Sequence, residues 1–322
     1  MKYRNLGNSG LQVSVTGLGC NNFGMTLNQK QTTEVVSTAL DYGITFFDTA
    51  DVYGGKGKSE QFLGKALGKK RSNAIVATKF GNPMGPNPLD QGASRRHIIQ
   101  SVEASLTRLN TDYIDLYQIH RPDPKTPIEE TLETLDGLIQ EGKIRYIGCS
   151  NFNGWQLIEA WWLAKHKGTN SFVSAQNRYS LLSRDIELDL LPAAEKYNTG
   201  ILPFFPLESG LLTGKYDQKV APKKGTRWHS WKDRGQMANI FWSKEKFSYL
   251  KKLIPVCDNF NHSILELAFG WLLKNNQVSS VIAGATKPSQ IKQNVRAAQF
   301  ILSQEEENQV NKITSINSSR IF

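Results

Sequence analysis

An aspartate and a tyrosine five residues apart, Asp48 and Tyr53, are followed along the chain by Lys79 and His120. These are residue types that move protons, and each lies at or just beyond the end of a β-rich run. A free phenol has a pKa of about 10, too weak an acid for efficient donation at neutral pH. A nearby ammonium favours the phenolate, so Lys79 is expected to lower the Tyr53 pKa and let it donate a proton. Asp48 would keep Lys79 charged and aimed, and a neutral His120 could hydrogen-bond the same oxygen and orient a carbonyl. That combination suits reduction of a C=O group, in which hydride reaches carbon while oxygen is protonated; the reverse oxidises an alcohol. Singly, the residues have plainer readings. Tyr53 could be a half-buried packing aromatic, His120 a satisfied core histidine, and Asp48 with Lys79 a structural ion pair. Their coincidence on neighbouring strand ends favours chemistry.

The elements that must position them repeat. Apolar, β-rich runs occur at 13–20, 44–50, 74–80, 113–120, 144–151, 171–177, 200–206 and 279–286, mostly about thirty residues apart. Helical patterns lie between them at 31–43, 94–110, 127–142 and 155–168, several closing on Gly or Asn. One strand plus one helix per unit, eight times, predicts an α/β fold of the (β/α)8 TIM-barrel type. Residues 3–14 read as a short hairpin before the first barrel strand. The gap between the seventh and eighth strands is the longest and holds an irregular insertion at 216–243, with helices near 244–253 and 262–276. No linker divides the chain, so residues 1–322 are expected to form a single domain. In such barrels the C-terminal strand ends face the site, and parallel neighbours lie ~4.8 Å apart. Asp48, Lys79 and His120, on consecutive strands, should therefore converge, with Tyr53 on the loop bending over them.

A competing motif follows Tyr53. "GGKGKS" at 54–59 resembles a phosphate loop, but that motif needs a glycine at position 52, which is Val52. The stretch reads instead as a flexible turn, with Ser59 and Glu60 suiting the start of a helix over 59–67.

Composition narrows the class. Hydrophobic content of 39% and charge of 21% describe an ordinary globular protein. The net charge of +10 is dispersed, and its densest cluster, at 221–235, lacks a nucleic-acid motif; no nucleic-acid partner is expected. The apolar run at 264–273 is too short to span a bilayer, and no signal-type segment opens the chain. Cys20, Cys149 and Cys257 show neither metal spacing nor a paired framework, which points to a reducing cytoplasm and no metal site.

The chain also resembles the aldo-keto reductase family over nearly its whole length. The matching stretches are "GLGCNNFG" (17–24), "FFDTADVYG" (46–54), "VATKFG" (76–81), "QIHRPD" (118–123), "GKIRYIGCSNF" (142–152), "AQNRYSLL" (175–182), "PLESGLLTGKY" (206–216) and "IAGATKPSQIKQNV" (282–295). The resemblance places the family's catalytic tetrad on Asp48, Tyr53, Lys79 and His120. It implies a nicotinamide cofactor, whose carboxamide Ser150, Asn151 and Gln176 should hold. Phe204 stands where the family usually stacks a Tyr or Trp on the nicotinamide, and Phe205 where related sequences often have serine. Leu207, Gly210, Leu211, Gly214 and Lys215 match its pyrophosphate-binding loop. Gly284, Thr286, Lys287, Gln290, Gln293 and Asn294 match its adenosine-phosphate region. Lys287 and the Thr286 hydroxyl suit a 2′-phosphate, which favours NADP(H) over NAD(H), although Gln293 replaces the Glu of many relatives. Trp228 and Trp231 could cover an apolar substrate, clamp the cofactor, or simply anchor the loop.

The expected activity is NADPH-dependent reduction of a small-molecule aldehyde or ketone. The same resemblance admits a regulatory, cofactor-binding subunit of the potassium-channel β type with little turnover. A Schiff-base reading of Lys79 is disfavoured, because a carboxylate partner raises the pKa of an amine that must be neutral to attack. Oligomeric state and physiological substrate are left open by the sequence.

Overall fold

A computed structural model describes residues 1–218, 220, 228–229 and 240–315. Trp231 and most of the basic 221–235 cluster lie outside the described residues. The opening hairpin is present as β1 (Tyr3–Asn5) paired antiparallel with β2 (Gln12–Ser14). Eight parallel strands follow: β3 (Thr16–Gly19), β4 (Phe46–Asp48), β5 (Ile75–Phe80), β6 (Ile114–Ile119), β7 (Ile144–Ser150), β8 (Ser174–Gln176), β9 (Gly200–Ile201) and β10 (Val281–Gly284). They form one sheet in the order β10-β3-β4-β5-β6-β7-β8-β9. Backbone bonds Ile201 N to Gln277 O (2.7 Å) and Ser279 N to Ile201 O (3.0 Å) join β9 to the segment entering β10, which closes the barrel.

The helices are α1 (Gln29–Asp41), the short turn α2 (Tyr53–Lys56), α3 (Lys58–Leu67), α4 (Arg95–Leu109), α5 (Ile128–Gln140), α6 (Gly154–Lys167), α7 (Leu190–Tyr197), α8 (Lys244–Asn259), α9 (Ile264–Lys274), α10 (Pro288–Ala297) and α11 (Gln304–Thr314). Their starts follow from capping chemistry. Asn28, Asn153 and Ser263 each form a reciprocal capping box with the residue three positions on, and Ser94 accepts from the His97 N–H.

Strand parity assigns each residue to the lumen or to the helical layer. Phe46, Ala77, Leu116, Leu202 and Ile282 pack inside the barrel, and Leu6 and Val13 of the hairpin close its lower end. Phe47, Val76 and Tyr117, of opposite parity, join the larger core between strands and helices. Two residues beyond the inner apolar layer, the same parity turns Asp48, Lys79 and Gln118 inward. Hydrophobic burial thus sets the register that stacks polar side chains above an apolar plug.

Candidate active site

Asp48 ends β4 and Lys79 lies near the end of β5. Lys79 Nζ sits 2.8 Å from each Asp48 carboxylate oxygen and 2.8 Å from the Thr49 carbonyl. The lysine side chain is 0% exposed and the aspartate 4%, so neither charge could persist there alone. Burial works against the Lys79 charge, but Asp48 and Tyr53 outweigh it and hold the ammonium above the ordinary lysine range. The pairing foreseen from the sequence is present, and the Schiff-base role stays disfavoured.

Tyr53 opens α2, whose backbone passes at once into the left-handed region that favours glycine. Gly54 and Gly55 have φ of 72° and 79°, and a Cβ on Gly54 would meet the Phe23 carbonyl oxygen at 2.5 Å. The turn carries the half-buried Tyr53 over the mouth. Its ring centroid lies 5.1 Å from Lys79 Nζ and 5.8 Å, edge-on, from the His120 ring. The hydroxyl end is enclosed, where the Lys79 charge reaches it. One expectation needs correcting. The phenol is held above its ordinary range, because burial raises it more than Lys79 lowers it, and Asp48 raises it further. Lys79 therefore offsets the cost of a buried phenolate without making Tyr53 an unusually strong acid.

His120 follows β6, its backbone N–H bonded to the Phe80 carbonyl at 2.9 Å. Burial first, then Lys79 and Arg121, push its pKa down to about 2, so the imidazole is neutral at physiological pH. A neutral ring offers one donor and one acceptor beside the phenol.

The "GGKGKS" turn is engaged in packing and internal hydrogen bonds. Gly57, at φ 95°, packs against Arg108, and Ser59 bonds the Cys20 carbonyl and the Thr49 hydroxyl, each at 2.8 Å. Glu60 does lie in the first turn of α3, but it is buried and paired with Arg108 at 2.6 Å.

The residues assigned to a nicotinamide carboxamide gather at the ends of β7 and β8. Ser150 donates to the Gln176 carbonyl (2.8 Å), and Asn151 Nδ2 donates to the His120 carbonyl (2.9 Å) and to Ser150 Oγ (3.1 Å). Gln176 also donates to Asp48 at 2.8 Å. Hydroxyl and amides in one cluster supply the donors and acceptors that a carboxamide needs. The group therefore fits the chemistry of the donor set, within bonding reach of the tetrad.

Phe204 and Phe205 follow β9, their rings 5.5 Å apart. Next come half-buried Leu207, buried Leu211 and exposed Gly214 and Lys215, with Gly210 and Gly214 in the left-handed region at φ 96° and 74°. Exposed Gly284 ends β10, and half-buried Thr286 precedes Lys287, which stands at the N-cap of α10 and is exposed. Gln290 accepts from the Thr286 N–H at 2.7 Å; Gln293 is exposed and Asn294 buried. These groups ring the same barrel mouth from β9 to β10. A helix N-terminus with a neighbouring lysine suits an anion.

Other members of the site were not singled out from the sequence. Gln118 is fully buried, donates to Asp48 at 3.3 Å and occupies space that a side chain on Gly148 would take. A polar residue of lumen parity inside the run 113–120 was its signal. Asp51 is also buried, and neither carboxylate oxygen has a hydrogen-bond partner among the described residues. Burial, with Glu60 nearby, raises its pKa to about 7. Of the two tryptophans considered in the long loop, Trp228 is buried among aromatic rings, 4.9 Å from Trp242 and 6.3 Å from Phe241.

Comparison with known proteins agrees with this geometry. The sequence profile of the "Aldo/keto reductase family" matches residues 16–315. The chain is 36% identical over 308 residues to a "Probable voltage-gated potassium channel subunit beta" of Arabidopsis thaliana, covering 94% of this chain and 92% of that protein. A protein of the same description from Oryza sativa subsp. japonica is 37% identical over 307 residues, 94% of this chain and 92% of its own. The "Uncharacterized oxidoreductase YrpG" of Bacillus subtilis is 36% identical over 316 residues, 95% and 93% of the two chains. With a closed barrel, a profile match over nearly its whole length and relatives aligned over 94–95% of it, the chain belongs to the aldo/keto reductase family of oxidoreductases.

Proposed function

We propose that this chain reduces aldehydes or ketones to alcohols, with NADPH as hydride donor and Tyr53 as proton donor. The observation that carries the reading is the convergence of the Tyr53 phenol, the paired Lys79 ammonium and the neutral His120 ring. The nicotinamide, when bound, supplies hydride; the protein handles the proton and the geometry. Tyr53, held above its ordinary range, is fully protonated at neutral pH, so the donor is loaded. As the proton leaves, negative charge grows on the phenol oxygen beside Lys79, which is where a fixed ammonium contributes most. Asp48 fixes that ammonium, and Gln118 and Gln176 fix Asp48. His120 can donate to the carbonyl oxygen and orient it, without carrying a charge that would compete with Lys79.

Turnover of NADPH with a panel of aromatic aldehydes tests the reading, with Tyr53→Phe alongside. The variant keeps the ring and loses the proton. Turnover should fall by roughly 10²–10⁴-fold, while NADPH affinity by fluorescence titration stays near wild type. Retained activity in Tyr53→Phe would refute the proton-donor role.

A second reading draws on relatives described as potassium-channel β subunits. Under it the chain binds cofactor and serves a partner. NADPH binding with negligible consumption across the aldehyde panel would favour it.

A further inference from the structure

We infer that Glu208 is a positioning residue for the segment from Leu207 to Lys215, setting how tightly the chain retains a nicotinamide dinucleotide. The inference rests on the cofactor reading above. Glu208 is fully buried and gathers donors from two other parts of the chain. Its carboxylate accepts from Arg178 Nη2 at 2.6 Å and from Ser180 Oγ at 2.8 Å, both on the segment after β8. It also pairs with Lys246, in the first turn of α8. Burial alone would favour the neutral acid, but Lys246 and Arg178 together keep Glu208 below the usual carboxylate range.

The backbone shows why such an anchor is needed. Phe205, Glu208 and Ser209 have φ of 50°, 46° and 56°, followed by Gly210 at 96°. Residues with a Cβ reach this region only against steric strain and persist where their surroundings over-determine them. Glu208 supplies that constraint: its side chain is tied in three directions within the strained run. The anchor reaches the neighbouring aromatics too. The Arg178 guanidinium lies 4.4 Å from the Phe241 ring centroid, and Phe241 packs edge-on against Phe205 at 4.8 Å. Phe205 adjoins Phe204, so one carboxylate organises both the left-handed run and the rings at the end of β9.

A plain electrostatic role predicts the opposite sign from a positioning role. The cluster carries two cations and one carboxylate. Glu208→Gln raises the local positive charge, which by field alone would tighten the hold on a phosphate. If Glu208 positions the segment, the same change loosens it. Titration of wild type, Glu208→Gln and Ser180→Ala with NADPH, with stopped-flow release into excess NADP⁺, separates the two. Positioning predicts NADPH affinity weakened roughly tenfold in Glu208→Gln, through faster release, with KM for NADPH raised and kcat not falling in parallel. Ser180→Ala, which removes one donor to Glu208 and changes no charge, should shift the same way by less where the field alone predicts no change, and it stands in if Glu208→Gln fails to fold. Unchanged or tighter NADPH binding in the variants overturns the inference while leaving the cofactor reading intact. Failure of the wild-type protein to bind either nicotinamide sinks that reading and the inference with it.

Discussion

Around the ends of β4, β5, β6 and β8, the groups that meet are carried on strands, and Asp48, Lys79, Gln118 and Gln176 bond one another directly. Around the end of β9, the neighbouring region of the same mouth, left-handed residues alternate with aromatic rings, and order comes from loop side chains and the start of α8. The first region joins regular backbone to buried charge; the second joins strained backbone to an ionic anchor. The difference matches the roles proposed for the two regions. A proton donor works only if its partners are held to a fraction of an ångström, which packed strands provide. A cofactor must enter and leave, which needs a segment whose conformation is held by contacts that can yield.

Removing Lys79 strikes the strand-borne region hardest. Lys79→Met takes away the ammonium and leaves Asp48 buried, with only amides for company. Breaking a buried pair in this way costs about 3–5 kcal/mol, so urea unfolding should show a large loss of stability alongside loss of turnover. NADPH retention, which the proposal assigns to the other region, should suffer less in whatever fraction stays folded. A variant as stable as wild type, with a normal pH profile, would contradict the buried-pair account and erase the contrast between the regions.

That contrast also explains what could be read from the sequence. The eight strands were legible because burial on both faces writes them as apolar runs at near-constant spacing, and Asp48, Lys79 and His120 stood out as polar residues at their ends. The run at 200–206 shrinks to a strand of two residues, Gly200–Ile201, because the chain turns into the left-handed segment soon afterwards. Gln118 was hidden because an uncharged residue inside a strand looks like padding until parity places it beside Asp48. Glu208, Arg178 and Lys246 were hidden for another reason. Their meeting depends on how two loops and a helix start fold together, and no periodicity records that. The sign of the Tyr53 shift was misjudged because a sequence names charged neighbours without the depth of burial, and here burial is the larger effect.

Asp51 probes the strand-borne region more gently. Its pKa of about 7, against an ordinary 3.8, means that between those values the folded chain holds a proton the unfolded chain has lost. Stability from this group is therefore complete below about pH 4, declines as pH rises to about 7, and is level above. Across that window the loss is at most about 4 kcal/mol. Asp51→Asn abolishes the titration, so the variant should gain on wild type between pH 5 and pH 8. Urea midpoints at the two pH values check this, and charging of His120 on unfolding, common to both proteins, cancels in the difference. Parallel pH dependences would show that Asp51 is ionised in the folded state.

The smallest expected effect belongs to the cofactor side. Lys287 is exposed at the N-cap of α10, so its charge acts through solvent and contributes little to the fold. If it meets a 2′-phosphate, Lys287→Ala should weaken NADPH binding by about tenfold, as loss of one charge-assisted contact does. NADH binding should hardly change. Because the site is open, the gap between the two cofactors should also narrow as salt is raised and the Debye length contracts. The Glu208 effect, from a carboxylate enclosed among its partners, should instead resist salt. Equal losses for both nicotinamides in Lys287→Ala would count against a 2′-phosphate contact. A salt-insensitive NADPH preference would place the discrimination on buried groups such as Asn294 instead of on the exposed lysine.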